Sequence, residues 1–356
     1  MRIPVQHRWL GWLLGSVCLL AGNAQAEEKE GKFYGAAETE YPAWFKDSFL
    51  DLRDDLAEAD KAGRRLVVLF VQNGCPYCHA LIERNLAQKD IEQTMRKNFD
   101  VVTINMWGDR EVHGLDGKKT MEKDLAATLK VQFTPTLLFF NEKGDVVLRL
   151  NGYLPPHRFK AAIDYVATRQ ENKISYRDYM AAHAVHAKRG KMHAEAFFAK
   201  PPYDLRQVKG KQPIALFFEQ ADCPNCDTLH EKVLIDPDTR KIVSQFENIQ
   251  LDMWSKTPII TMDGKHTTAR ELAKQLDVKY APTIVLLNAQ GKEVIRSEAF
   301  FKVFHTQGIF AYVLEGGYQT QPSFQRWLQA RAEHLREQGK DVDIWRLGDE
   351  QTGQRN

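Results

Sequence analysis

Apolar and polar positions along this chain follow a pattern that occurs twice. Leu66 to Val71 is an apolar, β-branched run that predicts a buried strand; a polar turn, Gln72-Asn73-Gly74, stops it, and Cys75 opens a helical pattern continuing to about Asn98. Upstream, Trp44 to Lys61 has helical spacing, with Phe45, Phe49, Leu52 and Leu56 on one face and Gly63 as its stop. Downstream, Asp100 to Met106 predicts a strand, Trp107 to Thr120 a Gly- and charge-rich loop or hairpin, and Met121 to Lys130 a short helix. Leu137 to Phe140 and Asp145 to Leu150 pair as a hairpin across Asn141-Glu142-Lys143-Gly144, and Arg158 to Arg169 closes the unit as a helix.

The second copy starts at Pro213, where the run IALFFEQAD leads into Cys223-Pro224-Asn225-Cys226 as the first run leads into Cys75-Pro76-Tyr77-Cys78. Trp107 and Trp254, Pro135 and Pro282, and Gly144 and Gly291 each lie 147 residues apart, while Cys75 and Cys223 lie 148 apart. One deletion between cysteine pair and tryptophan reconciles the two offsets, so the chain carries one domain twice. Its 356 residues suit two domains at the usual ~150 residues each. The pattern predicts a signal segment at 1–26, a first domain at 27–171, a helical linker at 172–202, a second domain at 203–320, and a C-terminal helical extension with its tail at 321–356. Within the linker, Tyr176 to Ala199 reads as one or two helices before Lys200-Pro201-Pro202. In the extension, Phe324 to Gln338 is an amphipathic helix ended by Gly339 and expected to pack on the second domain.

Arg2, His7 and Arg8 precede the apolar run Trp9 to Leu20, and Ala24-Gln25-Ala26 is a small-residue cleavage site, which together predict a secretory signal. The run is shorter than the roughly 20 residues of a spanning helix, so an exported, periplasmic protein without a stable membrane span is expected. Cleavage would take the net charge from +2 to 0, and a balanced surface gives no electrostatic reason to bind nucleic acid. It would also remove Cys18, leaving four of the five cysteines, all in the two CxxC pairs. In an oxidising compartment such pairs either stay as local disulfides or cycle. A disulfide closing so small a loop adds little stability by chain entropy, which favours cycling.

A cysteine at a helix start faces unpaired N–H groups and the positive end of the helix dipole, which favour thiolate over thiol. Its partner one turn along is within reach of a disulfide. The same spacing serves zinc sites and c-type haem attachment, and Cys75-Pro76-Tyr77-Cys78-His79 matches the haem motif. Against haem, Asp227 stands where the second copy would need a histidine, and the motif follows a buried strand. No cofactor is therefore expected. His183 and His186 share a helical face, with His193 beyond them; lacking a cysteine or carboxylate set they read as solvated linker histidines, and no metal site is expected.

Strand, CxxC helix, strand, helix, X-Pro-Thr, hairpin and closing helix: this order resembles the thioredoxin fold, an α/β architecture, over most of the chain outside the signal segment. More narrowly the chain resembles exported thioredoxin-related proteins, here with two tandem domains, including those associated with bacterial sulfur-compound oxidation. The resemblance implies a thiol–disulfide oxidoreductase acting on protein thiols and disulfides, with Cys75 and Cys223 as nucleophiles and Cys78 and Cys226 as resolving thiols. It implies a cis proline beside each pair, with Thr134-Pro135 and Ala281-Pro282 presenting backbone to a substrate strand. It also implies an unidentified electron donor or acceptor.

The chain departs from that family at one place. Family reductases carry a buried acid six residues before the first cysteine, where Leu69 and Phe217 stand here. Glu219, on the same strand face as Phe217, either substitutes for that acid or is a charge at an exposed strand end. Tyr77, like the motif residue of glutaredoxins, and His79 are the expected tuning residues of the first pair. A module holding copper(I) or a partner through its paired thiols, without turnover, is the alternative.

Overall fold

The computed structural model describes residues 30–183 and 191–348. The signal segment, its cleavage site and His186 lie outside these residues. Among the described residues no helix is long and apolar enough to cross a membrane.

An amino-terminal arm containing β1 (Phe33–Tyr34) leads into α1 (Leu52–Lys61), β2 (Arg65–Val71), α2 (Pro76–Ala80), α3 (Lys89–Asn98), β3 (Phe99–Asn105), the small hairpin β4 (Glu111–His113) and β5 (Lys119–Met121), α4 (Glu122–Thr128), β6 (Thr136–Phe140), β7 (Val146–Asn151) and α5 (Pro156–Ala167). The sheet order is β3-β2-β6-β7, with β2 parallel to β3 and antiparallel to β6. β2 is buried along its whole length, as its unbroken apolar run requires. Its residues alternate between two cores: Leu66, Val68 and Phe70 pack with Leu52 and Ala126, while Val67 and Leu69 join Phe139 and Phe159.

α6 (Tyr176–His183) follows, and then the architecture recurs: β8 (Tyr203–Asp204), β9 (Ile214–Glu219), α7 (Pro224–Thr228), α8 (Pro237–Val243), β10 (Glu247–Asp252), β11 (Pro258–Ile260), β12 (His266–Thr268), α9 (Ala269–Gln275), β13 (Thr283–Leu287), β14 (Glu293–Ser297) and α10 (Val303–Leu314). The sheet order β10-β9-β13-β14 copies the first. α11 (Gly317–Thr320), α12 (Phe324–Glu337) and β15 (Val342–Asp343) complete the chain, and β15 pairs in parallel with β1.

Three expectations need correction. The helix predicted from Trp44 starts only at Leu52, because Asp51 caps it by accepting from the Arg53 and Asp54 amides; Phe49, assigned to its apolar face, is fully exposed. Residues 191–199 are not helical: Phe198 forms a bridge with Asn248, and Ala199 N–H donates to the Asn248 carbonyl, drawing the linker along the second sheet. α12 packs on α10 as expected but also reaches the first domain, where the Phe324 amide donates to Gln132 Oε1 at 2.9 Å and Arg326 lies over the Trp107 ring.

The two domains meet through equivalent parts. Asn151 and Glu298, separated by the repeat offset, hydrogen-bond at 2.6 Å (Nδ2 to Oε2). Gly152 faces its equivalent Ala299 so closely that a β-carbon on Gly152 would lie 2.8 Å from that of Ala299. The next equivalent pair, Arg158 and His305, reaches crosswise. Arg158 donates to the Ala281 carbonyl of the second domain, and the His305 ring lies edge-on to Tyr77 of the first, 5.1 Å between centroids. Contact between equivalent surfaces is the hallmark of a two-fold interface, here within one chain. Along it, Phe133, Phe139 and Phe159 of the first domain and Phe217, Phe301 and Phe310 of the second belong to one apolar cluster.

His305 is 8 % exposed and its Nδ1 has no hydrogen-bond partner. Burial pushes its pKa down to about 4. A depressed value means that the neutral imidazole stabilises the fold fully above its ordinary value of roughly 6.5 and that this contribution is lost as pH falls towards 4. His305→Phe is expected to unfold at nearly the wild-type urea concentration at pH 8 and to lose about 3 kcal/mol less than wild type between pH 6.5 and 4. Equal acid losses in the two proteins would contradict this. Gly152, at φ +86°, is expected to cost about 1–3 kcal/mol when changed to Ala, from backbone strain plus the clash with Ala299. Adding Ala299→Gly should recover the clash component alone, which a double-mutant unfolding cycle measures.

Candidate active sites

Each site is built by a strand that stops and a helix that starts. β2 ends at Val71, Gly74 takes a left-handed conformation (φ +68°), and Cys75 becomes the N-cap of α2, its Sγ accepting the Cys78 amide at 3.0 Å. Pro76 sits at the first helical position, where its missing N–H costs nothing. The second site repeats this with Cys223 capping α7 and accepting the Cys226 amide at 3.1 Å. Both pairs are disulfide-bonded. The turn before each is pinned by the repeated tryptophan: Trp107 Nε1 donates to Gln72 Oε1 and Trp254 Nε1 to Gln220 Oε1. One turn of π-helix, Leu81–Leu86 or Leu229–Val233, follows each redox helix.

Thr134-Pro135 and Ala281-Pro282 are both cis. Thr134 Oγ1 lies 3.3 Å from Cys75 Sγ, so the loop and the first pair share one site. Ala281 belongs to the apolar cluster containing Cys223 and Cys226. Its carbonyl is occupied by Arg158 of the other domain.

The two sites differ in enclosure. At the first, Cys75, Pro76, Tyr77 and Cys78 are all buried. Tyr77 accepts a hydrogen bond from the Lys302 amide at 3.0 Å and meets the rings of Phe301, His305 and Trp345 edge-on. Burial raises its phenol pKa far above the usual value. Tyr77 is thus the contact by which the second domain covers the first site. The half-buried His79 ring has no hydrogen-bond partner among the described residues. A cavity of about 380 Å³ borders the covered site, lined by Gln72, Asn73, Gly74, Trp107 and His305. At the second site Cys223 and Cys226 are buried too, but Pro224 is exposed and Asn225 half-exposed.

They also differ in polarity. Leu69 and Phe217 are core residues, as their side chains require. Glu219 is not an exposed strand end: it is 1 % exposed and bonds His230 Nε2 at 2.9 Å and Gln250 Nε2 at 2.7 Å. His230 stands one turn beyond Cys226, and its Nδ1 meets Glu195 Oε1 at 3.1 Å; Arg240 holds the other oxygen of Glu195. Burial alone would lower the His230 pKa, but hydrogen bonds and charge from Glu219 and Glu195 outweigh it and raise the value. His193, expected to be a solvated linker residue, stacks on His230 with ring planes 8° apart and bonds Asp227 at 2.8 Å. In the first domain the equivalents of Glu219 and His230 are Val71 and Ile82. The sequence reading missed His230 and Glu195, because nothing local marks a linker residue as the partner of a helix some 35 positions away.

The sequence pattern of the family described as "Thioredoxin-like domain" matches residues 52–167 and 203–314. Among curated proteins no match is found. Among solved structures the chain is similar to a thioredoxin-fold protein from Helicobacter pylori (22 % identity, 34 % of this chain and 80 % of that one, TM-score 0.29). It is also similar to a thioredoxin from Thermus thermophilus (20 % identity, 44 % and 99 %, TM-score 0.28) and to a disulphide isomerase from Xylella fastidiosa (16 % identity, 42 % and 99 %, TM-score 0.24). With both repeats matched over more than half its length and each carrying a disulfide at the cap of its redox helix, the chain belongs to the thioredoxin-like domain family, two of whose domains it joins in tandem.

Proposed function

We propose that the protein is an exported thiol–disulfide oxidoreductase that exchanges disulfides with other exported proteins through Cys75–Cys78 and Cys223–Cys226. The observation that carries this reading is the N-cap position of Cys75 and Cys223, each receiving an amide N–H on sulfur, a geometry that stabilises a thiolate once the pair is reduced. Export rests on the signal-like residues 1–26.

In the reducing direction the Cys223 thiolate attacks a substrate disulfide, forming a mixed disulfide and releasing one substrate thiolate, which takes up a proton. Cys226 then loses its proton and attacks Cys223 sulfur, expelling the second substrate thiol and closing the pair. Two electrons pass to the substrate, and the reverse order oxidises a dithiol. We assign Glu219, buried on the strand that leads to Cys223 and held by His230 and Gln250, as the proton acceptor for Cys226. The first pair exchanges more slowly, because Tyr77 and the second-domain rings packed on it cover the site.

Cys226→Ser is expected to trap substrates on Cys223 as mixed disulfides, while Cys78→Ser traps several-fold less on Cys75 until Tyr77→Ala loosens its cover. Non-reducing electrophoresis with mass spectrometry reads this out; equal capture by a Cys223→Ser control would overturn the assigned roles. Insulin reduction without copper(I) retention separates exchange from thiol-based copper holding.

A further inference from the structure

Between the domains runs a cleft of about 740 Å³ that the exchange chemistry does not use. Val146, Val147, Leu148 and Arg149 of β7 all line it. Consecutive strand residues point to alternate faces, so all four can border one cleft only where it runs along the strand's edge. β7 is indeed the last strand of its sheet. An unpaired strand edge is a template for another extended chain.

The opposite wall and floor are more cationic than anionic. Arg177, Arg270, Lys274 and Lys279 lie there with Asp178, Glu271 and Asp277. Glu271 is taken by Arg270 at 3.5 Å, Asp277 by Lys279 at 3.2 Å, and Asp178 accepts from Ser175. Arg149 is spent on Asn151 and on the Leu129 and Lys130 carbonyls, whereas Arg177, which gives one N–H to the Met253 carbonyl, and Lys274 have no carboxylate within ion-pair distance among the described residues. Arg177 also stacks on Trp254 at 4.6 Å, and Trp254 pins the turn before Cys223. The cleft thus ends at the rim of the more open redox pair.

We propose that this cleft binds an extended acidic segment of protein substrates, its backbone along the β7 edge and its carboxylates on Arg177 and Lys274, so that a nearby disulfide is presented to Cys223. The substrate role rests on the exchange reading; the binding does not.

The test uses the full chain with Cys75→Ser and Cys78→Ser, which leaves one couple. Fluorescence anisotropy with a labelled peptide of alternating Glu and Val should show binding that weakens with salt, with the Ser-Val and Lys-Val counterparts at least about tenfold weaker. Lys274→Gln and Arg177→Gln should each weaken the Glu-Val peptide several-fold, while Lys241→Gln, an exposed cation outside the cleft, leaves it unchanged. Equal binding of the Ser-Val peptide, indifference to both cleft variants, or competition by inorganic triphosphate at concentrations where unlabelled Glu-Val peptide does not compete would overturn the proposal, the last by identifying a small-anion site. For disulfide peptides, an acidic flank should lower KM and leave kcat unchanged, an advantage lost in Lys274→Gln. Turnover without that preference refutes the cleft, whereas specific binding with no turnover of either peptide upholds the cleft and refutes the exchange reading.

Discussion

The structure depends on a shared apolar seam. Phe301 and Trp345 close on Tyr77, Phe133 lies between Phe301 and Phe324, and the cluster continues without a break into both sheets. Neither domain could expose these rings separately without presenting a large apolar patch to water. The seam therefore makes two repeats into one folding unit, and the polar contacts between Asn151 and Glu298 and between Arg158 and the Ala281 carbonyl act as its register marks.

Duplication gave both halves the same scaffold, and packing then gave them different chemistry. Pro224 remains exposed where Pro76 is covered, and a carboxylate–imidazole chain runs from Glu219 through His230 to Glu195 where the first half has Val71 and Ile82. The linker takes part in this divergence, because Glu195 and His193 come from it and not from either repeat. A second-domain copy cut free of residues 191–199 would lose Glu195 and His193 from around His230 and keep only its bond to Glu219.

Much of this was legible in the amino-acid sequence, for reasons that are local. Unbroken apolar runs mark β2 and β9 because both faces of a central strand are buried, and the two CxxC motifs with their X-Pro-Thr partners mark the sites because strand ends and helix starts are set within a few residues. What was not legible is non-local. Helical spacing from Trp44 was real, yet the Asp51 side chain captured the helix start and Phe49 was left in solvent. Tyr77 read as a tuning residue because nothing near it announces Phe301 or Trp345, more than two hundred positions away. Glu219 reads equally as a base or a surface charge because the partners that bury it, His230 and Gln250, lie 11 and 31 positions along the chain.

The ribbon of β1 with β15 joins segments from opposite ends of the described chain beside the first redox pair. Lys32 N–H donates to Asp341 Oδ1 across 309 residues of chain, and Ala37 N–H from the same arm donates to the Gly74 carbonyl beside Cys75. The first pair is therefore enclosed by segments far apart in the chain: the amino-terminal arm at Gly74, the second domain's Phe301 and Lys302 at Tyr77, and Trp345 at the same ring, so its cover needs all three in place.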